Sequence, residues 1–235
     1  MDGMVVFIIM EDRIIGIKQV IMKIHLKQIL LLLLLLSCVL GEAQDRLGFC
    51  PLKNAKELFD DYDERLEKIL HYNLSEDFLA RCVFIPSFEP EWALQIERDT
   101  ESKSFQICTL TFEKNLWYQK EDTVGVSKRT MLIEDVEAFG LINLVNVFIQ
   151  NKSEFLTMGC VEDGEMIEFE ALVAGVIQCG ATVCPDENSY LGRLVAIIEM
   201  MKLSVDHDTL SQEVFALSKN LFDEVSTYYS DNNNK

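Results

Sequence analysis

The segment Pro86-Ser87-Phe88-Glu89-Pro90-Glu91-Trp92 is the most distinctive stretch of the chain. Two prolines fix φ around a strand end and present Glu89 and Glu91 beside an aromatic, Trp92. Two carboxylates in that setting suit acid/base hydrolysis or a recognition loop. A rigid turn that feeds Trp92 into the core is the simpler account. A second acidic run, Asp60-Asp61-Tyr62-Asp63-Glu64, spreads carboxylates over one helix side, where they form a solvated face or steer a basic partner. Glu162-Asp163-Gly164-Glu165 lacks the ligand spacing of a calcium loop and reads as a hairpin tip.

Of the 7 cysteines, Cys50, Cys82, Cys108, Cys160, Cys179 and Cys184 lie beyond residue 43. Only Cys179 and Cys184 are close in sequence; a disulfide between them is the leading reading, with buried thiols as the alternative. Cys82, Cys108 and Cys160 sit within apolar runs, where a thiol behaves as a small hydrophobe. His71 and His207, the two histidines past residue 43, read as a helix-end residue and a surface residue near the start of the last helix. No HExxH, nucleophile elbow, phosphate-binding loop or dinucleotide fingerprint occurs, so neither a metal nor a cofactor is expected.

The elements that must position these residues follow from periodicity. An amphipathic helix is predicted over 51–71, with Ala55, Phe59, Tyr62, Leu66, Ile69 and Leu70 on its inner side. Strands follow at 82–85 and 92–97, where Trp92, Leu94 and Ile96 alternate with Ala93, Gln95 and Glu97, and then at 105–112 after a hairpin loop over 98–103. In that last strand Leu110 and Phe112 break the parity of Phe105 and Ile107, which implies a bulge near Ile107 or a change of buried face. Residues 134–150 read as a helix apolar nearly all round, hence buried on more than one side. A hairpin is expected about Asp163-Gly164, joining 156–161 to 166–173, with Ile167 and Phe169 inward and Glu168 and Glu170 outward. Strand character continues through 176–183. Helices are expected over 189–203 and 209–228, the latter opening on the capping box Thr209-Leu210-Ser211-Gln212. This order lacks βαβ alternation and predicts an α+β fold: a mostly antiparallel sheet packed by an N-terminal helix, a central buried helix and two C-terminal helices.

The 235 residues carry 21 Lys+Arg against 39 Asp+Glu, a net charge of −18, which repels nucleic-acid phosphates and anionic lipid. At 49% hydrophobic the chain is that of a folded protein rather than a disordered one. Met22 opens a stretch with Lys23 and Lys27, an apolar run over 29–40 and Gly41-Glu42-Ala43, the three parts of a secretory signal. The run is shorter than a membrane span requires. The expected organisation is therefore an upstream mis-start over 1–21, a signal peptide over 22–43, one α+β domain over 44–229 and a polar tail over 230–235. Leu35-Leu36-Ser37-Cys38 approximates a lipobox, with lipidation at Cys38 as the weaker reading because the apolar run continues past it. Asn73-Leu74-Ser75 and Asn151-Lys152-Ser153 are acceptor sequons for a third reading, a eukaryotic secreted glycoprotein.

The signal ending in Ala43-Gln44, the Phe84–Trp92 segment, Asp163-Gly164-Glu165 followed by Phe169, and Gly180 through Pro185 before a Leu-Val helix together resemble exported proteins of gut-type Bacteroidota. That family has no assigned activity, so the resemblance implies export and no site residue. The expectation is an exported acidic protein of the bacterial envelope, in the periplasm or outside the cell, that engages and neutralises a basic protein partner. The alternative is a periplasmic hydrolase using Glu89, Glu91 or a Cys/His pair.

Overall fold

The computed structural model describes residues 60–99, 101–119, 124–152, 164–209 and 211–233. The chain divides into two units, Met1–Ala43 and Gln44–Lys235, and all described residues belong to the second. The expected signal segment, Cys38, Cys50, Cys160, the start of the first helix and the first arm of the Asp163-Gly164 hairpin lie outside the described residues.

In chain order the elements are α1 (Asp60–Asn73), β1 (Phe78–Pro86), β2 (Trp92–Arg98), β3 (Phe105–Phe112), a 3₁₀ turn (Leu116–Tyr118), β4 (Val126–Ile133), α2 (Asp135–Gln150), β5 (Glu165–Val173), β6 (Val176–Val183), α3 (Tyr190–Asp206) and α4 (Gln212–Asn233). The strands form one sheet in the order β4-β3-β2-β1-β5-β6, every pair antiparallel. β1 to β4 meander by adjacent hairpins; α2 then returns the chain from the β4 edge, so that β5 pairs with β1. The fold is α+β, as the periodicity predicts.

Both faces of the sheet are covered. On one side α2, α3 and α4 enclose Ala80, Cys82, Phe84, Leu94, Ile96, Ile107, Ile167 and Phe169. On the other, α1 lays Tyr62, Leu66 and Leu70 on Val83, Ile85, Ala93, Leu110 and Phe112. This second layer accounts for the broken parity in β3. Its register is continuous from Phe105 to Phe112, with no bulge. Phe105 and Ile107 face the three-helix layer, and Leu110 and Phe112 face α1. The bulge lies instead in β1, between Phe78 and Ala80. The same layer corrects the expectation that Glu168 and Glu170 point to solvent: both are buried, as are Gln95 and Glu97.

The remaining differences are local. β5 turns into β6 at Ala174-Gly175, both at positive φ as a two-residue type I′ connection requires. α2 buries Leu141, Leu144, Val145 and Phe148 but leaves Val136 and Phe139 exposed, so it is not buried all round. α3 runs to Asp206 and His207 caps its C-terminal end, so that histidine belongs to α3 rather than to the start of α4. The capping box does not form. Thr209 Oγ1 donates to the His207 carbonyl, and Ser211 Oγ accepts from the Glu213 amide. α4 continues to Asn233, which makes most of the expected tail helical. No helix among the described residues is long and apolar enough to cross a membrane.

Candidate functional site

Glu91 and Trp92, adjacent in sequence, point to opposite faces of the sheet, as neighbours at a strand end must. Trp92 stacks on Phe84 in the three-helix layer, ring centroids 3.7 Å apart, with Lys202 Nζ 5.4 Å from its centroid. Glu91 is fully buried under α1. Its carboxylate accepts from the Tyr62 hydroxyl at 2.9 Å and from the Leu116 amide at 2.8 and 3.0 Å. Tyr62 stacks on Trp117 at 4.1 Å, so the carboxylate ties α1 to the 3₁₀ turn. Burial, then the charge and hydrogen bond of Glu91, hold the Tyr62 phenol far above its ordinary pKa, and it stays a donor. Glu89 is exposed, and its backbone carbonyl is held by Asn115 Nδ2 at 2.7 Å. One carboxylate is buried and bonded while the other faces water, so they are not brought together as an acid/base pair.

The expected Cys179–Cys184 disulfide does not form. Cys179 lies within β6 and Cys184 just past its end. Five steps of extended chain separate them by about 16 Å, far beyond bridging reach. Cys184 instead continues the pairing with Glu165, its amide donating to the Glu165 carbonyl at 3.0 Å. Cys82 and Cys108 are buried thiols, as expected of small hydrophobes in strand runs. Burial pushes both upward, Cys108 to about 11. The two sequon asparagines each spend their amide on a helix end: Asn73 Nδ2 donates to the Ile69 carbonyl and Asn151 Nδ2 to the Val147 carbonyl, both at 2.8 Å.

A cleft of about 550 Å³ opens where α1 ends, between that helix and the far end of β1, β5 and β6. Leu66 and Leu70 form its ceiling and Val83 part of its floor. The β pairing then assembles a polar row across the same face: Glu170 beside Arg81, and Arg81 beside Gln95. Arg81 uses each guanidinium nitrogen: Nη1 to Glu170 at 3.3 Å, Nε to Gln95 Oε1 at 3.0 Å and Nη2 to the Ser75 carbonyl at 3.0 Å. The β1 bulge turns Phe78 to this face, and the guanidinium lies 3.9 Å from its ring centroid. Gln95 passes the network on to Glu97, which also accepts from Gln106 Nε2 at 2.7 Å. Burial lowers Arg81 from its usual value, and the charge of Glu170 opposes that loss.

Carboxylates outnumber cations around this cleft. Glu168 and Glu170 line its floor, and exposed Glu67, Glu76 and Asp77 stand at its mouth, against Arg81 inside and His71 at the rim. His71 Nδ1 and Glu76 Oε1 are 2.6 Å apart, closing one side of the entrance. The acidic run of α1 leads to it. Asp60 opens the helix, Asp61, Glu64 and Glu67 follow one another at three-residue spacing on its exposed side, and Asp63 is half-buried.

Sequence reasoning found the approach to this cleft and missed its floor. Glu168 and Glu170 alternate with Ile167 and Phe169, a pattern that a one-sided sheet also gives. The available signal was α1 itself: an amphipathic helix ahead of the meander needs a sheet face to cover, so the polar parity of β1, β2 and β5 had to be an interior one. No protein-family model, curated protein or solved structure matches the chain, and the functional reading therefore rests on this geometry.

Proposed function

We propose that the protein is an exported acidic binding protein whose cleft beneath α1 receives a cationic side chain of a basic protein partner. The observation that carries this reading is the 550 Å³ cleft bearing five carboxylates, Glu67, Glu76, Asp77, Glu168 and Glu170, around a single half-buried arginine. Arg81 directs its donors to Glu170, Gln95 and the Ser75 carbonyl, so the field reaching the entrance is negative. A lysine or arginine entering there meets carboxylates at the mouth and apolar walls from Leu66, Leu70 and Ile177 along its methylene stem. The Asp61, Glu64 and Glu67 stripe steers such a partner toward the entrance. Export rests on residues 22–43. Glu89 and Glu91 occupy separate environments, which leaves a hydrolytic pair of these two carboxylates without support.

The test is titration of the full chain with a short lysine- and arginine-rich peptide by calorimetry at low and high salt, beside the triple variant Glu67→Lys, Glu76→Lys, Asp77→Lys. These three side chains are exposed, so the fold should survive. Binding should weaken with salt and fall at least about tenfold in the variant, a change of about 1.4 kcal/mol. Equal affinity of the two proteins would overturn the assignment of this cleft.

A further inference from the structure

On the opposite side of the sheet, α2 and α4 lie side by side and parallel. Gln212 at the start of α4 bonds Glu137 in the first turn of α2, and Tyr229 near its end meets the ring of Phe148 edge-on. Their outer surfaces frame a groove of about 870 Å³. This strip exposes apolar side chains. Val136 is 73% exposed and Phe139 49% exposed, with Phe215, Ala216 and Phe222 facing them. Its charges are confined to the ends: Glu134 and Glu137 at one, Lys219 toward the other.

Gly140 lies in the groove floor, and a Cβ placed there would meet nothing within 4 Å. A glycine inside an exposed helix costs stability relative to alanine, and no contact within the monomer requires this one. Gly140 and Ala216 also stand midway between the two charged ends. Gln212 is level with Glu137, and Lys219 is seven residues, or about 10 Å, further along α4.

We propose that this strip is where two copies of the chain pair about a two-fold axis passing near Gly140 and Ala216. The small residues let the helices approach at the axis, and the aromatic side chains fill the grooves on either side. Lys219 of each copy then comes level with Glu137 at the acidic end of the other, so opposite charges lie at the same height on both sides of the axis. A basic helix from another protein would leave Lys219 facing like charge, which favours the second copy as the occupant. The face measures about 24 Å by 20 Å from helix length and diameter. It thus buries roughly 1,000 Å² in total, the size of a reversible interface rather than an obligate one. With −18 on each copy, long-range repulsion opposes pairing and salt relieves it. Pairing should therefore tighten with salt, whereas binding at the acidic cleft should weaken.

Sedimentation velocity of the full chain over a concentration series at low and high salt tests this. The expected result is a reversible monomer–dimer equilibrium, tighter at high salt. Gly140→Arg enters open space in the monomer and brings like charges together at the axis. It should weaken pairing at least about tenfold with an unchanged circular dichroism spectrum. Lys219→Glu should weaken pairing as well. A chain that stays monomeric at both salts to about 100 μM, or self-association indifferent to Gly140→Arg, would overturn the proposal.

Discussion

Replacing Glu165 by Gln should change stability little at pH 5 and raise it progressively toward pH 8. Glu165 opens β5 opposite Pro86, and its carboxyl is raised from 4.5 to about 7 by burial and then by the charge of Glu199 on α3. The folded state therefore holds this proton more tightly than the unfolded chain does. Its contribution is fully present below pH 4.5 and is lost as pH rises through about 7. For folded and unfolded pKa values of 7 and 4.5, the linkage integral between pH 5 and pH 8 is about 2.5 kcal/mol. Solvent screening at a half-buried group reduces this to about 1–2 kcal/mol. A glutamine keeps the shape and cannot ionise, so the gap between variant and wild type should open by that amount. Urea unfolding at pH 5, 6, 7 and 8 reads it, and Glu199→Gln should recover the smaller, charge-dependent part. A gap that stays constant over this range would refute the reasoning, because general acid repulsion acts on both proteins alike.

Two further substitutions test the scaffold of the site. Tyr62→Phe removes a hydrogen bond to the buried Glu91 carboxylate and should cost about 1.5–3 kcal/mol. It also loosens α1, so near-ultraviolet circular dichroism should report the disturbed Tyr62–Trp117 stack. Gly192→Ala should destabilise by about 1–3 kcal/mol, because a Cβ there falls 2.0 Å from the Asp186 carbonyl oxygen. Gly140→Ala, with open space around it, should instead stabilise by about 0.5–1 kcal/mol. Thermal unfolding of the two glycine variants side by side decides whether packing or helix propensity sets the sign.

Periodicity carried most of the architecture. The α2 pattern begins and ends within a residue of the helix because Glu134 and Glu137 form a capping box around its start. Residues 105–112 and 176–183 match β3 and β6. Expectations that depend on what lies above a strand differ from the structure. Alternation states which residues share a face, and it does not state whether water or another layer covers that face. Alternation therefore reads Glu168 and Glu170 as outward when both are buried, and of the two accounts of β3, a bulge or a change of buried face, the second holds because both faces are covered. The disulfide reading failed for a related reason: sequence proximity ignores the reach of extended chain, which carries Cys179 and Cys184 apart. The left-handed Ala174 carried no signal, since alanine is not a usual residue for that geometry.

The α1 face of the sheet argues for a site by its own unevenness. At one end Val83, Ile85, Ala93, Leu110 and Phe112 pack as an ordinary core under Tyr62 and Leu66. A few residues along the same strands, the same face buries Gln95, Glu97, Glu168 and Glu170 around the half-buried Arg81. Desolvating such groups is costly, and their mutual bonds offset the cost only in part; an apolar continuation of the first end would hold α1 at least as well. Stability of the fold therefore does not account for the polar end. The proposed cation-receiving role accounts for it, because each carboxylate on this face adds to the negative field at the entrance.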